Sequence, residues 1–307
     1  MAKLQSPFVD FDLYSDFYAL VRQIPKGMVT TYGNLARALG DVVAARACGY
    51  MLSINPDPIG TPCYKVVKAG GEVGKFTHPL GTAEKSRRLQ NDGIAIEDGR
   101  IGNFESICFD DFDSDNTLQK MREEQERMAS LVSLEDDFST SEIAAVDVSY
   151  GEEFGYGAMV INRGGNIEIR HKKMESRFPY IPGYLTYREF KFIRELVGEY
   201  SGLLLVDGNG FLHPRHIGLA SFTGVMLGIP TIGVAKSLLL GRREGDWIYN
   251  GLERSAYMLR KNCVISAGHR ISLDSAATFI NEKYNGKYPE ILKIAHNESV
   301  KLRLGQI

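Results

Sequence analysis

The sequence predicts an α/β protein in two domains: a small helical one, then a larger mixed sheet flanked by helices. Three observations predict it. A chain of 307 residues is long enough for two separate cores. In its first hundred residues, two short helical stretches meet at Gly40-Asp41, the outline of a helix-turn-helix. Beyond residue 140, strands of buried character alternate with amphipathic helical stretches. Apolar residues make up 44% and charged residues 24%, ordinary globular values that exclude disordered, collagen-like and coiled-coil chains.

The elements follow in order. Phe17 to Leu39 has a helical pattern interrupted by IPKGMVTTYG, where Pro25, Lys26 and Gly27 make a turn and Val29 to Thr31 a short β-branched piece. Asn34–Leu39 and Val42–Ser53 are the paired helices. The second is small near its start (Ala44, Ala45, Ala47, Gly49), which lets its backbone lie close to another surface. NPDPIGTPCYKVV (55–67) is a proline-stiffened loop entering a strand. Residues 103–116 are expected to be an acidic linker, solvated over DDFDSDN. TLQKMREEQERMASLV (117–132) is expected to be an amphipathic helix opening the second domain. Strands are expected at 142–150, 157–161, 166–170, 203–208, 231–235 and 263–267, and helices at 187–200 and 215–228.

The net charge of −2 conceals segregation. Residues 1–100 carry net +2, residues 101–143 net −9, and residues 144–307 net +5, so the average says nothing against a nucleic-acid partner. Cys48, Cys63, Cys108 and Cys263 are scattered without CxxC spacing, which argues against a disulfide framework and against structural zinc. The start, with Asp10, Asp12 and Asp16 and no apolar run, does not resemble a signal peptide. Ile217 to Ala235 is 19 residues without a charge, long enough to span a bilayer. Its four glycines and Pro230 favour a buried helix followed by a buried strand. The expectation is a cytoplasmic protein with reduced thiols and no membrane partner. Gly228-IPTI-Gly233-VAKS is not a phosphate loop, because no lysine directly follows a glycine, so no nucleotide cofactor is implied.

Two constellations carry chemistry. A cysteine ahead of a strand, such as Cys63, is ordinarily a small core residue, and a thiolate needs a nearby cation or helix N-terminus. The wider set of IPKGMVTTYGNLA, AARACG, NPDP and PCYKVV, however, resembles the DNA-binding domain of O6-alkylguanine-DNA alkyltransferases over residues 8–100. The resemblance implies a winged helix-turn-helix-like domain, flipping of the damaged guanine, and irreversible transfer of its alkyl group to Cys63. It implies DNA-binding roles for Tyr32 (nucleotide rotation), Arg46 (the finger filling the vacated stack) and Asn55 (support of the turn). This sequence departs from that family in having Tyr64 and Lys65 where histidine and arginine follow the cysteine, and Phe76 and Thr77 for tyrosine and serine. The relay glutamate is expected near Ser86, with Glu84 a candidate substitute. A phenol titrating near 10 is a poor base beside an imidazole.

In the second constellation, Asp147 lies mid-strand between valines and Asp207 ends LLLVDG. Burying an ionised carboxylate costs several kcal/mol (~) unless something neutralises it, and two converging carboxylates suit magnesium. VDVSY, FPYIPGYLTYRE, VDGNGFLHPRHIGLAS, PTIGVAK and SAGHRISL together resemble endonuclease V over residues 115–307. That resemblance implies a ribonuclease-H-like sheet and nicking on the 3′ side of hypoxanthine. It assigns Asp147, Asp207 and Glu189 to the metal, Mg2+ with Mn2+ as alternative, and places Lys236 and His269 in the active site. It also implies DNA contacts by Tyr180, Gly183, Gly210 and His213. A rigid aromatic such as Tyr180, flanked by Pro179 and Pro182, suits a wedge that fills the gap of a flipped base. Two departures are Phe222 for a histidine and a short spacing of 33 positions from Lys236 to His269.

The domains expected are therefore 1–102, alkyltransferase-like; 103–116, acidic linker; and 117–307, nuclease. The function expected is a bifunctional DNA-repair enzyme acting on alkylated guanine and deoxyinosine. The alternative is a non-catalytic lesion-binding module fused to an active nuclease.

Overall fold

The computed structural model describes residues 11–260 and 263–307; the expectations that touch residues 1–10 and 261–262 lie outside the described residues. The described residues form two units, one running from residue 11 to Arg122 together with Arg177–Pro182, the other holding Glu123–Ser176 with Gly183–Ile307.

In the N-terminal unit, α1 (Leu13–Arg22) starts where the Asp12 carboxylate accepts the Ser15 amide at 3.1 Å, and β1 (Thr30–Thr31) leads directly into α2 (Tyr32–Ala38). The Thr31 hydroxyl caps α2 by accepting the Asn34 amide at 3.0 Å. The turn after α2 requires glycine twice over. Gly40 has φ +103, and a Cβ there would lie 2.6 Å from the Gln119 amide nitrogen. Asp41 then caps a short 3-10 turn, Val42–Ala44, that runs into α3 (Ala45–Ser53). β2 (Val66–Val67) pairs in parallel with β1, Thr30 opposite Val66. That pairing draws the loop ahead of β2 beside the start of α2. α4 (Gly81–Asn91), the ribbon β3 (Ile96–Glu97) and β4 (Arg100–Ile101), and α5 (Phe104–Ile107) complete the unit, around Val29, Val67, Val73, Leu89, Ile94 and Ile101.

The acidic segment departs from expectation. Residues 103–116 are not a free linker: Phe109 N–H donates to Val29 O at 2.7 Å, and Gln23 and Asp113 exchange two hydrogen bonds at 2.8 and 2.9 Å. Nor does α6 (Thr117–Ala129) open the second unit at its first residue. Leu118, fully buried, donates its amide to Leu39 O at 2.7 Å, and the division falls at 122/123. Carboxylates give a segment its charge, but its backbone amides and its apolar residues remain free to dock.

The C-terminal unit is a nine-stranded mixed sheet. It contains β5 (Glu142–Tyr150), β6 (Phe154–Arg163), β7 (Asn166–Glu175), β8 (Leu203–Asp207), β9 (Thr231–Ala235), β10 (Arg242–Glu244), β11 (Trp247–Asn250), β12 (Glu253–Arg260) and β13 (Cys263–His269). Their order is β10-β11-β12-β13-β9-β8-β5-β6-β7, with β8 parallel to both β5 and β9 and the other pairings antiparallel. Alternation along the strands makes two faces. Ala144, Val146, Leu204 and Val206 pack on α7 (Leu185–Val197) and α8 (Leu219–Leu227). Ile143, Ala145, Leu203, Leu205, Ile232 and Val234 pack on α9 (Leu273–Lys283) and α10 (Glu290–Arg303). Each such Val, Leu or Ile side chain contributes on the order of 1.5–3 kcal/mol of burial.

The uncharged stretch 217–235 is α8, a left-handed Gly228 at φ +67, then β9. Among the described residues no helix is long and apolar enough to cross a membrane. Phe222 fills a place in the core, edge-on to Phe190 at 5.2 Å. The segment after Lys236, read as shortened, still holds three strands, β10 to β12.

Gly233 in β9 supports the loop that follows Asp207. A Cβ there would lie 2.4 Å from the Gly210 nitrogen and 2.7 Å from the Gly208 oxygen, both backbone atoms. Gly233→Ala is therefore expected to cost about 3 kcal/mol, as overpacking does, and to lower the thermal unfolding temperature. Unchanged unfolding would contradict this packing.

Candidate active sites

The register of parallel strands makes the C-terminal site. Ala145 pairs with Leu205, so two residues further on Asp147 and Asp207 emerge side by side on the α9/α10 face. The Asp147 carboxylate, 8% exposed, accepts the Ser299 hydroxyl at 2.7 Å and meets His296 Nδ1 at 3.3 Å. The Asp207 carboxyl is pushed up to about 6, first by burial. Lys236, at 2.5 Å, pulls it down, while its hydrogen-bonded neighbour Asp147 pushes it further up. Glu189, near the start of α7, is pushed well above the carboxylate range, first by burial and next by the charge of Asp147. It hydrogen-bonds the Tyr150 hydroxyl, and the Arg188 guanidinium stacks 3.7 Å from the Tyr150 ring. Three acids from three elements thus lie within each other's field, with Lys236 bonded to Asp207.

Among the described residues, no three His, Cys, Asp or Glu side chains stand close enough together to clasp an ion as they are. The donor chemistry nonetheless fits a hard divalent cation: two touching carboxylates, a third nearby, and a raised proton affinity that a cation would relieve.

The other predicted residues are held differently. His269 ends β13, and its Nδ1 accepts the Ser133 amide at 3.1 Å. Burial, then Arg270, pushes it down to about 4, so it is neutral at pH 7. His213 is pushed down to about 3, chiefly by burial. Both its nitrogens are engaged, Nε2 with Gly183 O at 3.2 Å and Nδ1 accepting the Arg215 amide at 3.3 Å. It braces Gly183, which has φ +80 and whose carbonyl also receives Arg215. Gly210 touches β13 so closely that a Cβ would fall 2.1 Å from Ala267 O. Tyr180 stands 59% exposed. Sequence reasoning missed His296, Ser299 and Tyr150. The i, i+3 spacing of His296 and Ser299 on one helix face was the available signal.

In the N-terminal unit, Cys63 opens a 3-10 turn (Cys63–Lys65) and is 8% exposed. It lies within electrostatic reach of Tyr18, Tyr32, Tyr64 and Lys85. Tyr32 packs against Gly49 of α3 at 3.7 Å from a notional Cβ, which explains the small residues there. Arg46 is exposed on α3. Asn55 Nδ2 donates to Thr61 O at 3.0 Å and its Oδ1 accepts the Asp57 amide at 3.1 Å, closing the loop before Cys63. The acid bonded to Tyr64 is Asp92, which accepts its hydroxyl at 2.9 Å and lies 3.5 Å from Lys65 Nζ. Glu84 is no substitute, because Arg87 and Arg88 hold it at 2.7 and 2.8 Å. Lys85, 1% exposed, donates to Val66 O at 2.7 Å. Burial pushes its ammonium down to about 8, with Cys63 opposing.

The endonuclease V family model matches residues 126–297, and the model of the 6-O-methylguanine DNA methyltransferase DNA-binding domain matches residues 12–94. A protein of Picrophilus torridus named bifunctional methyltransferase/endonuclease is 49% identical over 296 residues, covering 96% of this chain and 98% of its own. The chain belongs to the bifunctional methyltransferase/endonuclease family. A Thermoplasma volcanium member of the same name is 47% identical over 295 residues, covering 96% of this chain and 91% of its own. Among solved structures, Streptomyces avermitilis endonuclease V matches with a TM-score of 0.55 at 26% identity, covering 62% of this chain and 94% of that one. Ciona intestinalis endonuclease V, solved with a 24mer DNA containing an inosine followed by a ribo-adenosine, matches at 0.54 and 25% identity, covering 63% of this chain and 100% of that one.

The raised Asp207 carboxyl makes a pH prediction for the cation-free family member. The folded state binds this proton more tightly than the unfolded one. The group's stabilising contribution is therefore full below about pH 4 and is lost as pH rises through about 6. Asp147, Glu189 and Lys236 face the group; with Asp207→Asn that loss disappears. In chelator, the unfolding temperature of the variant minus that of the original should grow from pH 4 to pH 7, and a constant difference would contradict the assignment.

Proposed function

We propose that this family member is a DNA-repair enzyme with two independent centres: alkyl transfer at Cys63 and metal-dependent nicking beside deaminated bases at Asp147, Asp207 and Glu189. What supports the reading most is the relative aligned over 96% of the chain, with each chemistry lying in its own unit. The finer folds belong to the same reading: α2 and α3 as a helix-turn-helix in a winged domain, and the nine-stranded sheet as ribonuclease-H-like. The domain spans follow the two units, with the boundary at 122/123.

In the first centre the Cys63 sulfur attacks the alkyl carbon of O6-alkylguanine. The carbon–oxygen bond breaks, a thioether forms, and guanine leaves with the electron pair and gains a proton. Tyr32 rotates the nucleotide, Arg46 fills the vacated stack, and Asn55 keeps the loop in shape. Tyr64 does not act as the base, since its hydroxyl donates to Asp92 and its phenol is pushed up to about 12, first by burial. Lys85 supplies the buried positive charge that favours a thiolate.

In the second centre Asp147, Asp207 and Glu189 hold Mg2+, or Mn2+ in its place. When bound, the cation activates water and offsets charge on the scissile phosphate. Ser299 and His296 orient Asp147, and Lys236 orients Asp207 and faces the developing negative charge. His269, neutral, accepts from Ser133 and offers its other nitrogen to the substrate. Tyr180 is the wedge, Gly183 and Gly210 let backbone approach the extruded base, and His213 braces Gly183.

Cys63→Ala is expected to abolish alkyl transfer and leave inosine-directed nicking intact, and Asp147→Ala to do the reverse. Loss of both activities in either folded variant would sink the modular reading. Intact mass after incubation with O6-methylguanine DNA should show one added methyl on the Cys63 peptide. An unmodified peptide beside tight lesion binding would instead establish the binding-module alternative.

A further inference from the structure

Tyr288 stands just ahead of Pro289, the residue from which α10 begins, and its ring packs against the core beneath α9 and α10. Its hydroxyl oxygen is buried, yet among the described residues it has no hydrogen-bond partner. Burying such a group unpaired carries the desolvation penalty of a hydroxyl, whereas phenylalanine would fill the same space without it. A phenol here is suited to holding a bound water.

The surroundings indicate which water. The sheet face covered by α9 and α10 is the one on which Asp147 and Asp207 emerge, and α10 itself brings His296 and Ser299 to Asp147. Burial keeps the phenol from ionising, and the charges of Asp207 and Asp147 add to that effect. Lys236 is committed to Asp207, Ser299 and His296 to Asp147, and neither set reaches Tyr288. A water bridging the phenol to the carboxylate pair would satisfy all three groups, and such a water is what a hard divalent cation carries in its hydration shell.

We propose that Tyr288 is a positioning residue of the nuclease centre, its hydroxyl binding a water in the hydration shell of the cation held by Asp147 and Asp207. The inference rests on the metal-dependent reading of that centre. It makes the last helix a two-point support: His296 and Ser299 aim the ligand Asp147, and Tyr288 aims the solvent the ion brings.

The test uses the full chain and Mn2+ alone, followed by electron paramagnetic resonance of the free ion and by thermal unfolding with and without chelator. Tyr288→Phe should leave unfolding in chelator unchanged or slightly higher, because no protein hydrogen bond is lost. The Mn2+ concentration for half-saturation should rise about fivefold, the worth of one hydrogen bond. A purely structural tyrosine would show the opposite pattern, and either result overturns the inference: lower stability in chelator, or an unchanged Mn2+ titration. Asp147→Asn separates the two levels of the argument. If it abolishes Mn2+ binding while Tyr288→Phe does nothing, only the role of Tyr288 fails. If the original chain binds no Mn2+, the metal reading fails and the inference with it.

Discussion

The nuclease unit depends on two carboxylates held in contact by strand register. β5 and β8 run parallel, so the alternation that buries Ala145 and Leu205 on one face also delivers Asp147 and Asp207 to that face at the strand ends. Like charges at this distance, away from water, repel unless a proton or a cation lies between them. Everything packed around the pair answers that constraint: Lys236 from the end of β9, Ser299 and His296 from α10, and Glu189 held back with Tyr150. Ligands of open α/β sheets gather at the carboxyl ends of parallel strands for the same geometric reason.

The N-terminal unit solves a different problem, keeping a sulfur sheltered yet beside the α2–α3 helix pair. The short β1–β2 pairing does this with two residues on each strand, bringing the loop before Val66 against the start of α2. The Tyr64–Asp92 bond and the buried Lys65 and Lys85 then build a polar wall around Cys63 whose donors are largely satisfied by backbone carbonyls.

Much of this was legible because it is local. Mid-strand Asp147 could be singled out because a carboxylate between valines has no dull explanation, and Gly40 because a tight turn between helices needs it. The rest was not legible, because it depends on contacts far apart in the chain. Ser299 meets Asp147 across 152 positions, and Gln23 meets Asp113 across 90. No spacing rule in the acidic segment hints that its amides dock on an earlier helix. The strand β10 reads Arg-Arg-Glu and is exposed along its length, so it has no apolar period to detect. Asp92 was overlooked because a helix end, set by the packing of Leu89 and Ile94, brings it to Tyr64.

The apolar cluster of Val29 and Leu89 and the clusters beneath Asp147 have no member in common. A molecule whose thiol has been converted to a thioether is finished as an acceptor, because that bond is not reversed. Its hydrolytic half has no reason to stop. On the proposed reading, each polypeptide mends at most one alkylated guanine in its lifetime, while the number of strands it can incise is limited only by turnover.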